Sequence, residues 1–306
     1  MKFKKLYSEQ DDILKSHYYH LSKDSKKEYF NGLRKLAESN LSLAHCIQHD
    51  QAAKITLLAT QSDLAKADNF LDYVASNSTY KTVDDCYIRN NKLYGSKKYV
   101  SGATFTDYSI VYVKNEDTKT IDNVFLWNNE YSTDISTFKP IGMEDTLTGD
   151  LVFDGINIDS TRLITSKGTA EIRHREQFMD IAFPTNCIGV TFGLFELIKN
   201  NIPHHSDLDK LYLDICVYEK VWNNSLNTMI DSNNDTEYYN EMFLLYGLGK
   251  KTLNALIKYI LNNGTGFFYQ NTKQTQIYRD AMIYTSHMNN YQKSVTEFNR
   301  HRKNYE

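Results

Sequence analysis

The chain has 306 residues, of which 41% are hydrophobic, and a formal charge of -3. That is apolar material enough for one sizeable core or two smaller ones sharing an interface, and it leaves no basic footprint for nucleic acid. No apolar run approaches the roughly 18 to 20 residues of a membrane helix, and the opening MKFKKLYSEQDD lacks an apolar stretch and a cleavage site, so a cytoplasmic protein with no membrane partner is expected.

From Asp11 to about Tyr73 the pattern is helical, most clearly in LSLAHCIQHDQAAKITLLA, where Leu43, Ile47, Ile55 and Leu58 recur at helical spacing and Ser39, Asn40 or Ser42 can cap the start. From about Val83 to Ile164 the signal changes to short alternating runs, CYIR, KKYV, YSIVYV, NVFLW and GDLVFDGINI, separated by Asn, Asp, Gly and Thr clusters. After Glu171 helical periodicity returns in segments near 171–199, 207–231, 236–263 and 274–301. The expected organisation is α+β: a short helical region over 1–78, a middle antiparallel β domain over 79–168 and a C-terminal four-helix bundle over 169–306. Phe178 to Ile198 reads as too apolar all round to face water, so a homo-oligomer, a dimer or tetramer, is expected.

Between KKYV and YSIVYV the chain reads Ser101-Gly102-Ala103, a patch of small residues at a strand end that another molecule can approach closely. His45 and His49 stand four apart on a helix, but Cys46 occupies the place of the glutamate in a zinc-binding HExxH, so a partly exposed helix face is the expected reading. His204 and His205 follow Pro203 in a loop without a third ligand, and no metal site is expected. Gly264 and Gly266 in NNGTGFF can either turn the chain between helices or bring backbone N–H groups near a phosphate. His287 can donate a proton near neutrality, while Arg279 and Asp280 read as a salt bridge or cap. The four cysteines lie far apart without a CxxC pair and are expected to be buried thiols.

KLYGSKKYVSGATFTDYSIVYV, then FKPIGMEDTLTGDLVFDGINIDSTRLI, then helices carrying NGTGF and IYRDA, resemble the acyl-CoA dehydrogenase superfamily over most of the region from Ser42 to His287. Gly142-Met143, Thr146, Thr148 and LVFDGINI match its Gly-Met-Arg-x-Thr-x-Ser and VVFDDVFVP pattern, with Glu144 in place of the arginine. SLAHCIQHD, KKYVSGA and RDAMIYTSH are most similar to the flavin-dependent monooxygenase branch, the dibenzothiophene monooxygenase type.

The resemblance implies FAD or FMN as cofactor, with Ser101 beside flavin N5, Tyr99 and Val100 lining the ring, and Gly264 and Gly266 in the cofactor loop. It further implies Ser101 and His287 as catalytic residues, O2 and a small apolar or aromatic substrate, and a separate flavin reductase as partner. The alternatives are an acyl-CoA dehydrogenase and a non-catalytic partner subunit. Met288 stands where dehydrogenases carry their catalytic glutamate and cannot act as a base, which leaves Glu176 or Asp180 for that role. The family's flavin-contacting strand before the β block is not visible, and Lys199 is the only positive substitute for an arginine segment that reaches the flavin diphosphate.

Overall fold

The computed structural model describes residues 2–60, 72–78, 85–136, 141–164, 169–202, 206–231, 235–263 and 275–286. Helices α1 (Lys2–Ser8), α2 (Asp12–Lys15), α3 (Lys23–Ser39) and α4 (Leu41–Ala59) come first. Strands β1 (Ala75–Asn77), β2 (Cys86–Arg89), β3 (Lys92–Val100), β4 (Tyr108–Asn115), β5 (Thr120–Trp127), β6 (Ser132–Asp134), β7 (Gly149–Asn157) and β8 (Leu163–Ile164) follow. Helices α5 (Thr169–Asn201), α6 (Ser206–Asp231) and α7 (Asp235–Asn263) come next, then α8 over 275–286. The chain divides into two compact units. The first holds Met1–Leu21, His45–Lys139 and Glu144–Met179; the second holds Ser22–Ala44, Pro140–Met143 and Asp180–Glu306.

In the first unit the strands form one sheet in the order β6-β7-β3-β2-β4-β5-β8, with β1 beside β4. Pairing is antiparallel except for β1 and β2, which both run parallel to β4. Period-two alternation in YSIVYV sends Val111 and Val113 to one core, with Val124, Leu126, Leu93 and Phe153, and sends Tyr108 and Ile110 to another. That second layer is closed by Ala53 and Leu57 of α4, Ala75 of β1 and Phe125. Trp127, 38% exposed, sits edge-on to Phe125 at the rim of this layer. The β2–β3 hairpin turns on Asn90 and Asn91, both at positive φ, and Asp117 accepts from both of their backbone N–H groups.

Helix α4 ends at Ala59, and residues 61–71, over which the helical pattern was expected to run on toward Tyr73, lie outside the described residues. A short strand, β1, does precede the β block. It escapes pattern reading because Ala-Ser-Asn is short and has little strand preference; side-chain acceptors hold it instead. Asp50 Oδ1 accepts from Ala75 N at 2.8 Å and Asp107 Oδ2 accepts from Val74 N at 2.9 Å. Asp50 Oδ2 accepts in turn from Lys54 Nζ at 2.9 Å and from the Tyr7 hydroxyl at 3.1 Å. Lys54 and Asp50 are the two ends of an ion pair with side chains 2% and 0% exposed.

In the second unit α3 starts at Ser22, whose hydroxyl accepts from Ser25 N, and buries Tyr29, Phe30, Leu33 and Ala37. It lies close along α5. A Cβ on Gly189 would stand 2.3 Å from Arg34 O, and one on Gly193 would stand 2.1 Å from Glu38 O, so only glycine allows this approach. Residues 181–191 are buried without interruption. Pro184 lies inside α5 and brings no N–H. The carbonyls of Phe183 and Pro184 accept from the Tyr284 and Tyr218 hydroxyls, and Trp222, 1% exposed, donates to Thr185 Oγ1.

The helix Arg173–Asn201 within α5 is long and apolar enough to cross a membrane, which corrects the expectation that no such run exists; 83% of its most apolar window is buried inside the protein. Its apolarity therefore belongs to a core helix, and no second copy of the chain is needed to cover it. Cys46, Cys86 and Cys187 are buried and Cys216 half-buried. Burial pushes the Cys86 and Cys187 thiols up to about 12.

Replacing Lys54 with Met leaves the Asp50 carboxylate buried without its cation and is expected to cost about 3–5 kcal/mol in urea unfolding. A pH dependence follows from His17, whose pKa is lowered from 6.5, first by burial and then by the nearby Lys54 ammonium. The fold resists protonating it while the unfolded chain does not. Its contribution to stability is therefore complete above about pH 6.5 and declines as the pH falls below that value toward the folded pKa. The variant His17→Gln should flatten that part of the stability profile.

Candidate functional site

The end of β3 is shaped by a bulge. Lys97 pairs with Leu151 and Val100 pairs with Gly149, so Lys98 and Tyr99 together face Asp150. Tyr99 adopts φ 60°, in the left-handed region, and its N–H donates to Asp150 Oδ1 at 3.1 Å. Its ring is 59% exposed, while Val100 packs into the sheet core. Lys97 is fully buried and donates to Tyr112 O at 2.9 Å, and the Arg175 guanidinium stands 4.4 Å over the Tyr112 ring.

Ser101 begins the turn after the bulge. Its Oγ lies 3.5 Å from Thr148 Oγ1, which lies 2.8 Å from Thr146 Oγ1. Three hydroxyls thus stand in a row, able to donate or accept in either direction. Gly102 holds the turn with φ +82° and donates from its N–H to Thr146 O at 2.8 Å. Leu147, between the two threonines, also has positive φ at 46° and is 47% exposed. Two bulky residues thus hold left-handed backbones with apolar side chains in water beside the hydroxyl row. Such strain concentrates at binding sites.

The Gly142-Met143 motif does a different job, within the second unit. Met143 N donates to Asp280 Oδ1 at 2.6 Å, and Gln276 Nε2 donates to the same oxygen at 2.6 Å. A Cβ on Gly142 would stand 2.2 Å from Arg279 O. Asp280 is 5% exposed and lies inside α8, not at a helix terminus as expected, and its carboxylate holds this loop.

His287, Met288, Gly264, Gly266, His204 and His205 lie outside the described residues. His45 and His49 are both buried, 2% and 6% exposed, which corrects the expected partly exposed face; their rings meet edge-on at 4.5 Å. They lie inside because α4 is covered on nearly every side. Among the described residues no three His, Cys, Asp or Glu side chains group as a metal site. Lys199 pairs with Glu196 at 3.8 Å. Asp180, 4% exposed, accepts from the Tyr238 hydroxyl at 3.1 Å.

Sequence reasoning found Ser101 and the motif threonines but did not join them, because Thr146 and Thr148 read as a motif match and nothing in the sequence announces Leu147's backbone. An open depression of about 610 Å³ lies elsewhere on the sheet, lined by Asp85, Gly95, Ser96, Lys98, Val152, Phe153 and Asp154.

Solved structures share this architecture. Butyryl-CoA dehydrogenase from Megasphaera elsdenii superposes with TM-score 0.74 at 12% identity, over 92% of this chain and 84% of that one. Methanesulfinate monooxygenase MsuC from Pseudomonas fluorescens gives 0.71 at 11%, over 88% and 79%. Dibenzothiophene monooxygenase TdsC from Paenibacillus sp. A11-2 gives 0.67 at 14%, over 84% and 78%. The chain therefore has the acyl-CoA dehydrogenase fold, as its sequence motifs imply. No protein-family model matches the sequence, and no curated protein sequence matches it.

The variant Gly142→Ala should lower unfolding stability by about 1–3 kcal/mol, because the new methyl group overlaps the Arg279 carbonyl. Unfolding curves in urea measure that loss directly.

Proposed function

We propose that the chain is a flavin-dependent oxidoreductase of the monooxygenase type, acting on a small apolar or aromatic substrate, with the hydroxyl row of Ser101, Thr148 and Thr146 as its cofactor contact. One observation carries the reading: that row stands at a bulged strand end, with Tyr99 two residues before Ser101 and Leu147 between the two threonines, both exposed and on left-handed backbones. An edge of alternating ring nitrogens and carbonyl oxygens needs partners that can donate or accept, and hydroxyls do both. Tyr99 and Leu147 supply apolar surface for a flat ring, so the residues fit a flavin. The TdsC neighbour, of the same fold, has been solved with FMN and indole together.

Bound FMN or FAD would supply two-electron redox chemistry and, once reduced, the activation of O2. The chain's own part is to position and to exclude water. Ser101 Oγ holds the ring edge, Thr148 orients that hydroxyl, and Tyr99 and Leu147 shed water on contact. His287 is assigned the proton, since an imidazole titrates near neutrality, and a separate reductase is assigned the supply of reduced flavin.

The test is titration with FMN and FAD, each oxidised and reduced, followed by absorbance and fluorescence. Saturable binding is expected, with Ser101→Ala and Thr148→Val each weakening it about five- to tenfold, the equivalent of one hydrogen bond. Failure of all four forms to bind, or unchanged affinity in both variants, would remove the assignment. His287→Ala should bind flavin normally and oxygenate about a hundredfold more slowly.

A second reading, acyl-thioester dehydrogenation, is favoured by one observation: the buried carboxylate of Asp180, a candidate base on α5 held by Tyr238. Bleaching of bound flavin by an acyl-CoA without a reductase would select it.

A further inference from the structure

We propose that the outer face of the sheet binds a free basic amino acid, of the lysine, ornithine and arginine class, in the depression along β3 and β7. Ser96 pairs with Val152, which puts both side chains on one side of the sheet. Lys98 lies two residues beyond Ser96 and Asp154 two beyond Val152, so period two returns both to that side, away from the core of Leu93, Leu151 and Phe153. The strands are antiparallel, so Lys98 and Asp154 stand at opposite ends of the Ser96–Val152 pair, each about 7 Å along. Asp85 enters from the β2 side. Gly95 has φ +98°, and a Cβ there would stand 2.1 Å from Asp85 O, so only glycine lets the chain before β2 cross this close.

The depression holds about 610 Å³, within the range of about 300–1,000 Å³ usual for small-molecule sites. Its middle is apolar at Val152, 38% exposed. Among the described residues, Lys98, Asp85 and Asp154 form no ion pair and no side-chain hydrogen bond. Elsewhere on this sheet charges meet partners, as Arg89 does Glu116 at 2.7 Å and Arg162 does Glu130. One depression thus collects three charges of both signs and leaves them to solvent.

Their order selects the ligand. Two carboxylates and one ammonium call for two cations and one anion, the set a basic amino acid carries at neutral pH. It carries them in the matching sequence: carboxylate and α-ammonium on one carbon, then an apolar stem, then the second cation. The carboxylate meets Lys98, whose own flexible four-carbon stem can swing toward it. The α-ammonium meets Asp85, the stem crosses Val152, and the far cation meets Asp154. A diamine offers nothing to Lys98, and a neutral amino acid offers nothing to Asp154. A divalent cation lacks ligands, since no three His, Cys, Asp or Glu side chains group among the described residues. The C-terminal lysine of a peptide has the carboxylate and the far cation but no α-ammonium. The site stands whether or not the chain binds flavin.

The test is titration of the isotope-labelled full chain with L-lysine, followed by backbone amide shifts. Saturable shifts at Ser96, Lys98, Val152 and Asp154 are expected below about 10 mM, each exposed ion pair contributing a factor of up to about five. Lys98→Met, Asp85→Asn and Asp154→Asn should each weaken lysine binding about fivefold and leave the melting temperature unchanged. Norleucine, which lacks the far cation, should bind about fivefold more weakly than lysine and be indifferent to Asp154→Asn, a response that a general distortion by that variant would not give. Cadaverine and the tripeptide Gly-Gly-Lys should also bind more weakly than lysine. No saturable shift with lysine, ornithine or arginine, shifts confined to other residues, norleucine binding as tightly as lysine, or lysine affinity unchanged in Asp154→Asn would each overturn the proposal. Tighter binding of Gly-Gly-Lys than of lysine would overturn it in favour of a polypeptide C-terminus.

Discussion

The Asp50 carboxylate is the point on which the first unit is assembled. Helix α4 is buried on nearly every side, so each polar group it carries must find a partner inside the protein. Asp50 meets that demand for three elements at once: the Lys54 ammonium on its own helix, the Tyr7 hydroxyl of α1 and the Ala75 N–H of β1. The carboxylate reinforces a three-residue strand of Ala, Ser and Asn that pairs along its whole length with β4, and β4 pairs in turn with β2 and β5. A buried ion pair is weak evidence for stability as such. Here it reinforces where a strand lies.

Most of the architecture was legible in the residues. The switch from period 3.6 to period 2 near residue 83, and back near 171, marked the elements, and burial follows the helical period in α6 and α7, though not in α4 or the middle of α5, which are buried nearly all round. The motif around Gly142-Met143 and LVFDGINI led to the fold that the solved structures share. What escaped had other causes. Strand β1 is held by side-chain acceptors distant in sequence, which no local pattern records. His45 and His49 read as surface because a buried helix with many polar residues looks amphipathic until its partners are known. The apolar stretch of α5 read as a surface awaiting another copy, whereas α3 reaches it through Gly189 and Gly193 and covers it.

The candidate site was half legible. A serine at the end of KKYV was visible from composition, but its meaning comes from a bulge that sets two residues opposite Asp150 and from hydroxyls 47 positions away. Bulges re-aim side chains by changing the backbone, and the change at Tyr99 and Leu147 places bulky residues in a region that favours glycine. The energy stored there is offset by ladder pairs on either side. Positions that keep apolar groups in water and backbone under strain mark where a ligand gains most by arriving.

The two tryptophans have a practical consequence. Trp127 stands at the rim of the sheet in the first compact unit, and Trp222 is sealed among the helices of the second. Each unit thus carries a single indole in a different solvent environment, so the emission of the chain has two components that differ in colour and in access to quenchers. Replacing either indole with phenylalanine would leave an optical reporter for one unit alone, and comparing the two melting curves would tell whether the units come apart together or in turn.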